Sequence, residues 1–277
     1  MALPQHLLVI DLETRPDAAI LAAERDPDAF PKPIQNEIVT LGFLLARIER
    51  EGERERYQVR KLGSACIADR SEREILAGFW HMIDTQKPRV VTWNGRSFDA
   101  AVLKQRSLIY GLTAFNWHRT DPRFGYDYRY ESNWHCDLMD VLSDFGASSR
   151  LGLDETATAL GLPGKWNGHG DGVAAQAAAG DYAAINQYCE GDVLNTYLLY
   201  LRWAYFSSRV SAYGHNASVQ NLQGYLEAGR AQRPHWGEFL DRWRASARPC
   251  PACVPEAHGD PGAQPPESHL RSEDVLP

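Results

Sequence analysis

The apolar positions divide the chain into segments with two different periods. Leu7-Leu8-Val9-Ile10 is a short apolar run that stops at Asp11, the pattern of a strand buried on both faces. Residues 16–35 hold four prolines and little periodicity, and read as a loop with room for one short helix. Glu37 to Ile48 is rich in Ile, Val, Leu and Phe and predicts a second strand. The charged stretch Arg47–Arg56, centred on Gly52, predicts a hairpin tip, and Tyr57–Leu62 returns as a third strand. Ser71, with Glu72 and Glu74, opens a helix whose apolar face is Ile75, Leu76, Phe79, Trp80 and Ile83. After Pro88, Arg89–Trp93 predicts a fourth strand, Asn94-Gly95 a turn and Phe98–Tyr110 a helix. Thr113–Arg129 is irregular and aromatic, short helices are expected over 137–145 and 154–161, and Pro163–Gly172 is a glycine-bearing loop. Asp181 caps a long helix reaching about Phe206, and two more helices are expected near 215–230 and 235–246.

Three strands, a helix, a strand and then mostly helices predict an α/β domain on a mixed sheet. From Ala247 the periodicity stops and seven of the sixteen prolines fall in the last 31 residues, which predicts a disordered tail. With 277 residues, 44% hydrophobic and 23% charged, the chain is neither wholly disordered nor a collagen-like fibre. No apolar run reaches the roughly 18–20 residues of a bilayer span, and the start lacks a signal peptide's basic flank and cleavage site, so no membrane association is expected. Five cysteines, odd in number and thinly spread, predict a reducing compartment and a cytoplasmic location. A net charge of −7 counts against a protein that coats nucleic acid.

The acidic residues change that picture. Asp11 and Glu13 follow the first strand as Asp-Leu-Glu. Residues i and i+2 of an extended segment point to one side. Paired carboxylates raise each other's pKa unless a cation neutralises them, and hard ions such as Mg²⁺ or Mn²⁺ prefer such ligands. The plain alternative is a solvated loop. Asp99 ends the strand–turn–helix segment Val90 to Asp99, where ligands gather at strand ends; stabilisation by the helix dipole is the alternative. Tyr188 and Asp192 are spaced by four and share a face of the long helix with Ile185 and Leu199. A buried Asp there needs a partner charge or a metal, and a core tyrosine bonded to a capping Asp is the alternative.

The order Asp-x-Glu, Asn-x-x-x-Phe-Asp, Tyr-x-x-x-Asp resembles the three motifs of the DEDD exonuclease superfamily. The tyrosine four residues before the last Asp marks its DEDDy branch; the DEDDh branch would place a histidine where this chain has Gln187. Val9–Pro16 and Trp93–Asp99 are most similar to the exonuclease domain of family-B DNA polymerases, and the resemblance spans roughly residues 6–206. It implies an RNase H-like α/β fold, a mixed five-stranded sheet flanked by helices with extra C-terminal helices. The implied domains are an exonuclease domain over 1–210, a helical extension over 211–246 and the tail over 247–277, with no polymerase domain in the chain. It further implies hydrolysis at the 3′ end of single-stranded nucleic acid, DNA favoured over RNA, with two divalent ions, Mg²⁺ or Mn²⁺, and release of 5′-mononucleotides. By that resemblance Asp11 bridges both ions, Glu13 and Asp192 complete the site of the attacking water, and Asp99 holds the second ion. Tyr188 orients the water, Leu12 and Thr14 touch the terminal nucleotide, and Asn94 and Phe98 contact its sugar or base. A catalytically silent binding module of the same fold is one alternative, against which the full set of four carboxylates and the tyrosine stands. An exoribonuclease would carry the same ligands. Another RNase H-like enzyme, such as a transposase core, would lack the Tyr-x-x-x-Asp helix.

Trp93, Trp117, Tyr126, Tyr128, Tyr130 and Trp134 include candidates for stacking on unpaired bases, with core and loop packing the plain alternative. Asp137 is read as a helix cap or a cleft residue, and Lys165, among Gly164, Gly168, Gly170 and Gly172, as a phosphate contact. Cys250 and Cys253 have only His258 nearby, too few ligands for a zinc site.

Overall fold

Alternation along β1 (His6–Pro16) sets the architecture. Leu7 and Val9 point to one face and Leu8, Ile10 and Leu12 to the other, and each set joins its own hydrophobic core. The structure is a computed structural model that describes residues 3–21, 30–119, 124–165 and 172–246. The expected tail, with Cys250, Cys253 and His258, and loop glycines 168 and 170 lie outside the described residues.

β1 is the central strand of a mixed five-stranded sheet of order β3-β2-β1-β4-β5. It pairs antiparallel with β2 (Asn36–Glu51), which pairs antiparallel with β3 (Arg54–Cys66). On its other side it pairs parallel with β4 (Arg89–Thr92), which pairs parallel with β5 (His135–Asp137). One face is covered by α1 (Glu72–Gln86), α2 (Asp99–Ile109) and Trp117 of α3 (Phe115–Arg119). α1 begins with the expected Ser71–Glu74 capping box and stops at Lys87, in the left-handed region (φ 42°) just before Pro88. α4 (Leu138–Leu142), α5 (Leu153–Ala159) and α6 (Val173–Ala178) lead to α7 (Tyr182–Phe206), which covers the opposite face. α7 is buried on almost every side, its Glu190, Asp192 and Asn195 included. Among the described residues no helix is long and apolar enough to cross a membrane.

The last two helices, α8 (Ala212–Gly229) and α9 (Pro234–Arg244), close the sheet's exposed edge. An edge strand presents unpaired N–H groups. On β3 those of Tyr57, Val59 and Leu62 donate to Ser218 Oγ (2.9 Å), Asn221 Oδ1 (2.7 Å) and Tyr225 Oη (3.2 Å) of α8. Val219, Leu222, Leu226, Trp236, Phe239, Leu240 and Trp243 belong to the same core as Leu7 and Val9.

The structure departs from the pattern reading in four places. β1 continues past Asp11 to Pro16, with a bulge between Glu13 and Thr14, so both acids lie within the strand. The hairpin tip is confined to the residues between Glu51 and Arg54. β5 has three residues, too few to show a period. α3 and α6 have five and six residues and are equally silent in the hydrophobic pattern.

Candidate active site

Asp11 and Glu13 share the face of Leu7 and Val9, the one α7 covers. Gly42 on β2 stands opposite Asp11. A Cβ added there would lie 2.7 Å from Cys189 Sγ and 3.1 Å from Val193 Cγ2, so glycine lets α7 seat directly against the strands beside Asp11. Cys189 Sγ comes within 3.4 Å of both the carboxylate and the carbonyl of Asp11. Ligand atoms of Asp11, Glu13 and Cys189 all lie within 4.8 Å of one another.

Asp99 arrives from β4. Asn94 takes the left-handed region (φ 61°), which Asn tolerates, and a Cβ on Gly95 would lie 2.4 Å from the Thr92 side chain. Asp137, at the end of β5, accepts the N–H groups of Asn94 (2.9 Å) and Arg96 (2.8 Å) and also caps α4. That tight turn starts α2 at Asp99, whose Oδ1 accepts the N–H of Leu12 at 2.9 Å. Asp99 is thereby fastened between Asp11 and Glu13 along β1.

α7 supplies Tyr188 and Asp192, both buried. Lys165 reaches them from the loop after α5: its Nζ lies 2.5 Å from Tyr188 Oη and 3.5 Å from Asp192 Oδ2. The loop is anchored by the Lys165 N–H on Asp154 (2.7 Å) and by Asn195 Nδ2 on the Gly164 carbonyl (2.9 Å). Lys165 therefore meets the tyrosine and the acid, and no phosphate is needed to hold it there.

Burial is the first cause of every acid's upward shift here. The Asp11 carboxyl is raised well above the usual range by burial, then by Glu13, Asp192 and Asp99. Glu13 is raised by burial and Asp192, and Lys165 offsets part of the rise. Burial pushes Asp99 to about 7 and Asp192 to about 6, in the latter case against the pull of Lys165. Burial and then Asp192 push the Tyr188 phenol upward, and burial followed by Asp11 does the same to the Cys189 thiol. Asp11, Glu13, Asp99 and Asp192 offer the carboxylate oxygens that fit a hard divalent cation, with the Cys189 sulfur beside Asp11 and Glu13.

The other sequence candidates are placed less centrally. Leu12 is 4% exposed and packs with Leu8 and Ile10, so its backbone alone reaches the site. Thr14 lies past the bulge, its Oγ1 3.4 Å from Asn36 Oδ1. Asn94 and Phe98 flank the turn, and the Phe98 ring is 5.9 Å from Phe30. Trp117, Tyr126 and Trp134 are buried core. The pattern reading passed over Gly42 and Cys189. An isolated glycine inside Val39–Leu44 signals close backbone approach, and Cys189 lies three residues before Asp192 on the same helix face.

The chain matches, over residues 28–243, a family described as a predicted 3′–5′ exonuclease related to the exonuclease domain of PolB. The match includes Asp99, Tyr188 and Asp192 and begins after β1, so Asp11 and Glu13 precede it. Comparison with curated proteins finds no match. The matched span covers most of the chain and both C-terminal helices almost entire, and the protein belongs to this family of predicted 3′–5′ exonucleases.

Proposed function

We propose that this protein is a metal-dependent 3′–5′ exonuclease of DEDDy type that removes 5′-mononucleotides from single-stranded nucleic acid, DNA in preference to RNA. The observation that carries the reading is the convergence of Asp11, Glu13, Asp99 and Asp192 beside Tyr188, with Lys165 paired to Asp192 and hydrogen-bonded to Tyr188. Kinship with a DNA polymerase's exonuclease domain supports DNA. Asp11, Glu13, Asp99 and Asp192 would hold two divalent ions, Mg²⁺ or Mn²⁺. When bound, such ions acidify the attacking water and stabilise the leaving oxygen.

The chain's own groups divide the remaining work. Asp11 is coupled to all three other acids, the position suited to a shared ligand. Glu13 and Asp192 lie on the Lys165 side, and Asp99 is tied to β1 by the Leu12 N–H. Tyr188 keeps its proton at neutral pH and so orients the water as a hydrogen-bond partner instead of removing its proton. Thr14, Asn94, Phe98 and the backbone of Leu12 border the place for the terminal nucleotide. We read residues 1–210 as the catalytic unit and 211–246 as its edge cover. The described cysteines Cys66, Cys136 and Cys189 are free and buried, which suits the reducing cytoplasm.

Digestion of 3′- and 5′-labelled ten-residue DNA and RNA oligomers with Mn²⁺ tests the proposal. The 3′ label should leave first, as a mononucleotide, while the 5′-labelled strand shortens stepwise. Absence of release from every oligomer, or loss of the 5′ label first, contradicts it.

A further inference from the structure

Glu190 is fully buried on α7, directly after Cys189 and two residues before Asp192, and no step of the proposed reaction uses it. Its Oε1 accepts from Ser64 Oγ on β3 and from the Arg233 guanidinium, both at 2.9 Å. Its Oε2 accepts from His235 Nε2 (2.7 Å) and from the Trp236 indole N–H (2.8 Å). Two donors on each oxygen fill a carboxylate's four acceptor sites. Arg233, His235 and Trp236 all belong to the start of α9. That start is shaped to present them. Pro234 opens the helix. A Cβ added to Gly229, at the end of α8, would lie 2.4 Å from the Trp236 ring, so glycine there gives the indole room to turn its N–H to Glu190.

The register of the sheet connects these donors to the acid cluster. Asp11 on β1 stands opposite Gly42 on β2, and Gly42 stands opposite Ser64 on β3. The three residues form one row across the sheet. α7 meets that row with Cys189 against Asp11 and Gly42 and with Glu190 against Ser64. Successive side chains of a helix are about 100° apart, so fixing Glu190 fixes the directions of Tyr188 and Asp192 as well. Apolar packing is non-directional, whereas four hydrogen bonds on one carboxylate define its orientation. Exchanging a buried charged network for apolar side chains of similar volume is often neutral or stabilising, so stability alone does not account for four converging donors.

We propose that the C-terminal extension is a positioning element of the active site: Arg233, His235 and Trp236 hold Glu190, and through it the rotation of α7 that aims Tyr188 and Asp192 at the acids of β1. The inference deepens the exonuclease reading and rests on it for the chemistry that the positioning serves. Glu190 and its partners touch none of the reacting atoms, so they are positioning residues.

The test uses the full-length protein and the variants H235L/W236F and H235Q, all well below their melting temperatures. H235L/W236F removes both donors to Oε2 and keeps apolar bulk, and H235Q puts an amide N–H in place of the ring's. Hydrolysis of dT10 and calorimetric Mn²⁺ binding are measured on each. H235L/W236F should lose about tenfold or more in kcat and in Mn²⁺ affinity, with KM for dT10 unchanged, and H235Q should stay close to wild type. Arg233→Ala, at a half-exposed position, should show the same losses at smaller size, and it carries the test if the double variant does not fold. A lowered melting temperature with kcat and Mn²⁺ affinity unchanged overturns the proposal, as does an equal loss in H235Q. Wild type that releases no nucleotide while Mn²⁺ affinity falls in H235L/W236F sinks the exonuclease reading and keeps the positioning. Release from the 3′ end with neither quantity changed in H235L/W236F does the reverse.

Discussion

The two ends of the central strands both bury charge, and they treat it oppositely. At the start of β4, Arg89 is fully buried and grips Glu55 with both arms (2.6 and 3.1 Å). Tyr57, Tyr200 and Arg50 complete that network, and Arg89, with Tyr57 and Arg209, holds the Glu55 carboxyl down to about 2 against its burial. Past the other end of β4, Asp99 joins Asp11, Glu13 and Asp192, and their carboxyls are all pushed up. A compensated buried pair holds structure together, and breaking it leaves a lone charge. An uncompensated buried cluster persists at a cost in stability, which marks it as a site for something that supplies the missing charge.

The contrast can be broken from either side. The largest effect is expected for Asp11→Ala, which should reduce mononucleotide release by about a thousandfold or more, about 4 kcal/mol of barrier, while thermal melting of the metal-free protein at pH 8 stays level or rises. A large fall in melting temperature would put Asp11 with the structural charges. Glu55→Ala should do the opposite. It leaves Arg89 buried without its carboxylate partner and should destabilise the fold by about 3–5 kcal/mol in urea titration; a change under about 1 kcal/mol would erase the distinction between the two ends.

Titration sharpens the comparison next. Asp99 and Asp192 have folded values of about 7 and about 6 against 3.8 unfolded. Between those values the folded state binds more protons than the unfolded state, so the metal-free protein should lose stability as pH rises from about 4 to 8. D99N should flatten part of that slope, and a stability curve that climbs over this range contradicts the assignment. Glu55 has the reverse sign: its contribution is present above 4.5 and is lost as pH falls through about 2. The smallest effect is expected for Lys165→Ala. Without that cation the cluster's proton affinity rises further, so the pH–rate profile should move to higher pH with roughly a tenfold loss of kcat. A profile that stays in place would reduce Lys165 to a loop anchor.

The acids were legible in sequence because each sits on an element with its own local signal: Asp11 in an apolar run, Asp99 after an Asn-Gly turn, Asp192 at helical spacing from Tyr188. What made them a cluster was not legible. Nothing local pairs Gly42 with Cys189, and β5 is too short for a period. Asp137 reads in sequence much like Asp99, yet the backbone N–H groups of Asn94 and Arg96 occupy it, and that difference exists only once β4 and β5 are side by side. The compensated end was hidden for the same reason. Glu55 and Arg89 are 34 residues apart, and Glu55 lies in the charged stretch whose pattern predicts only a hairpin tip.

Manganese binding to the wild-type protein and to Asp11→Asn, followed by calorimetry at pH 8 and pH 5.5, tests most directly whether the uncompensated end awaits cations. The wild type should bind Mn²⁺ at pH 8 and at least about tenfold more weakly at pH 5.5, because protons compete for the raised carboxyls, and the Asn variant should lose most of the binding while remaining folded. Equal binding by both proteins, or none by a folded wild type, would contradict the account.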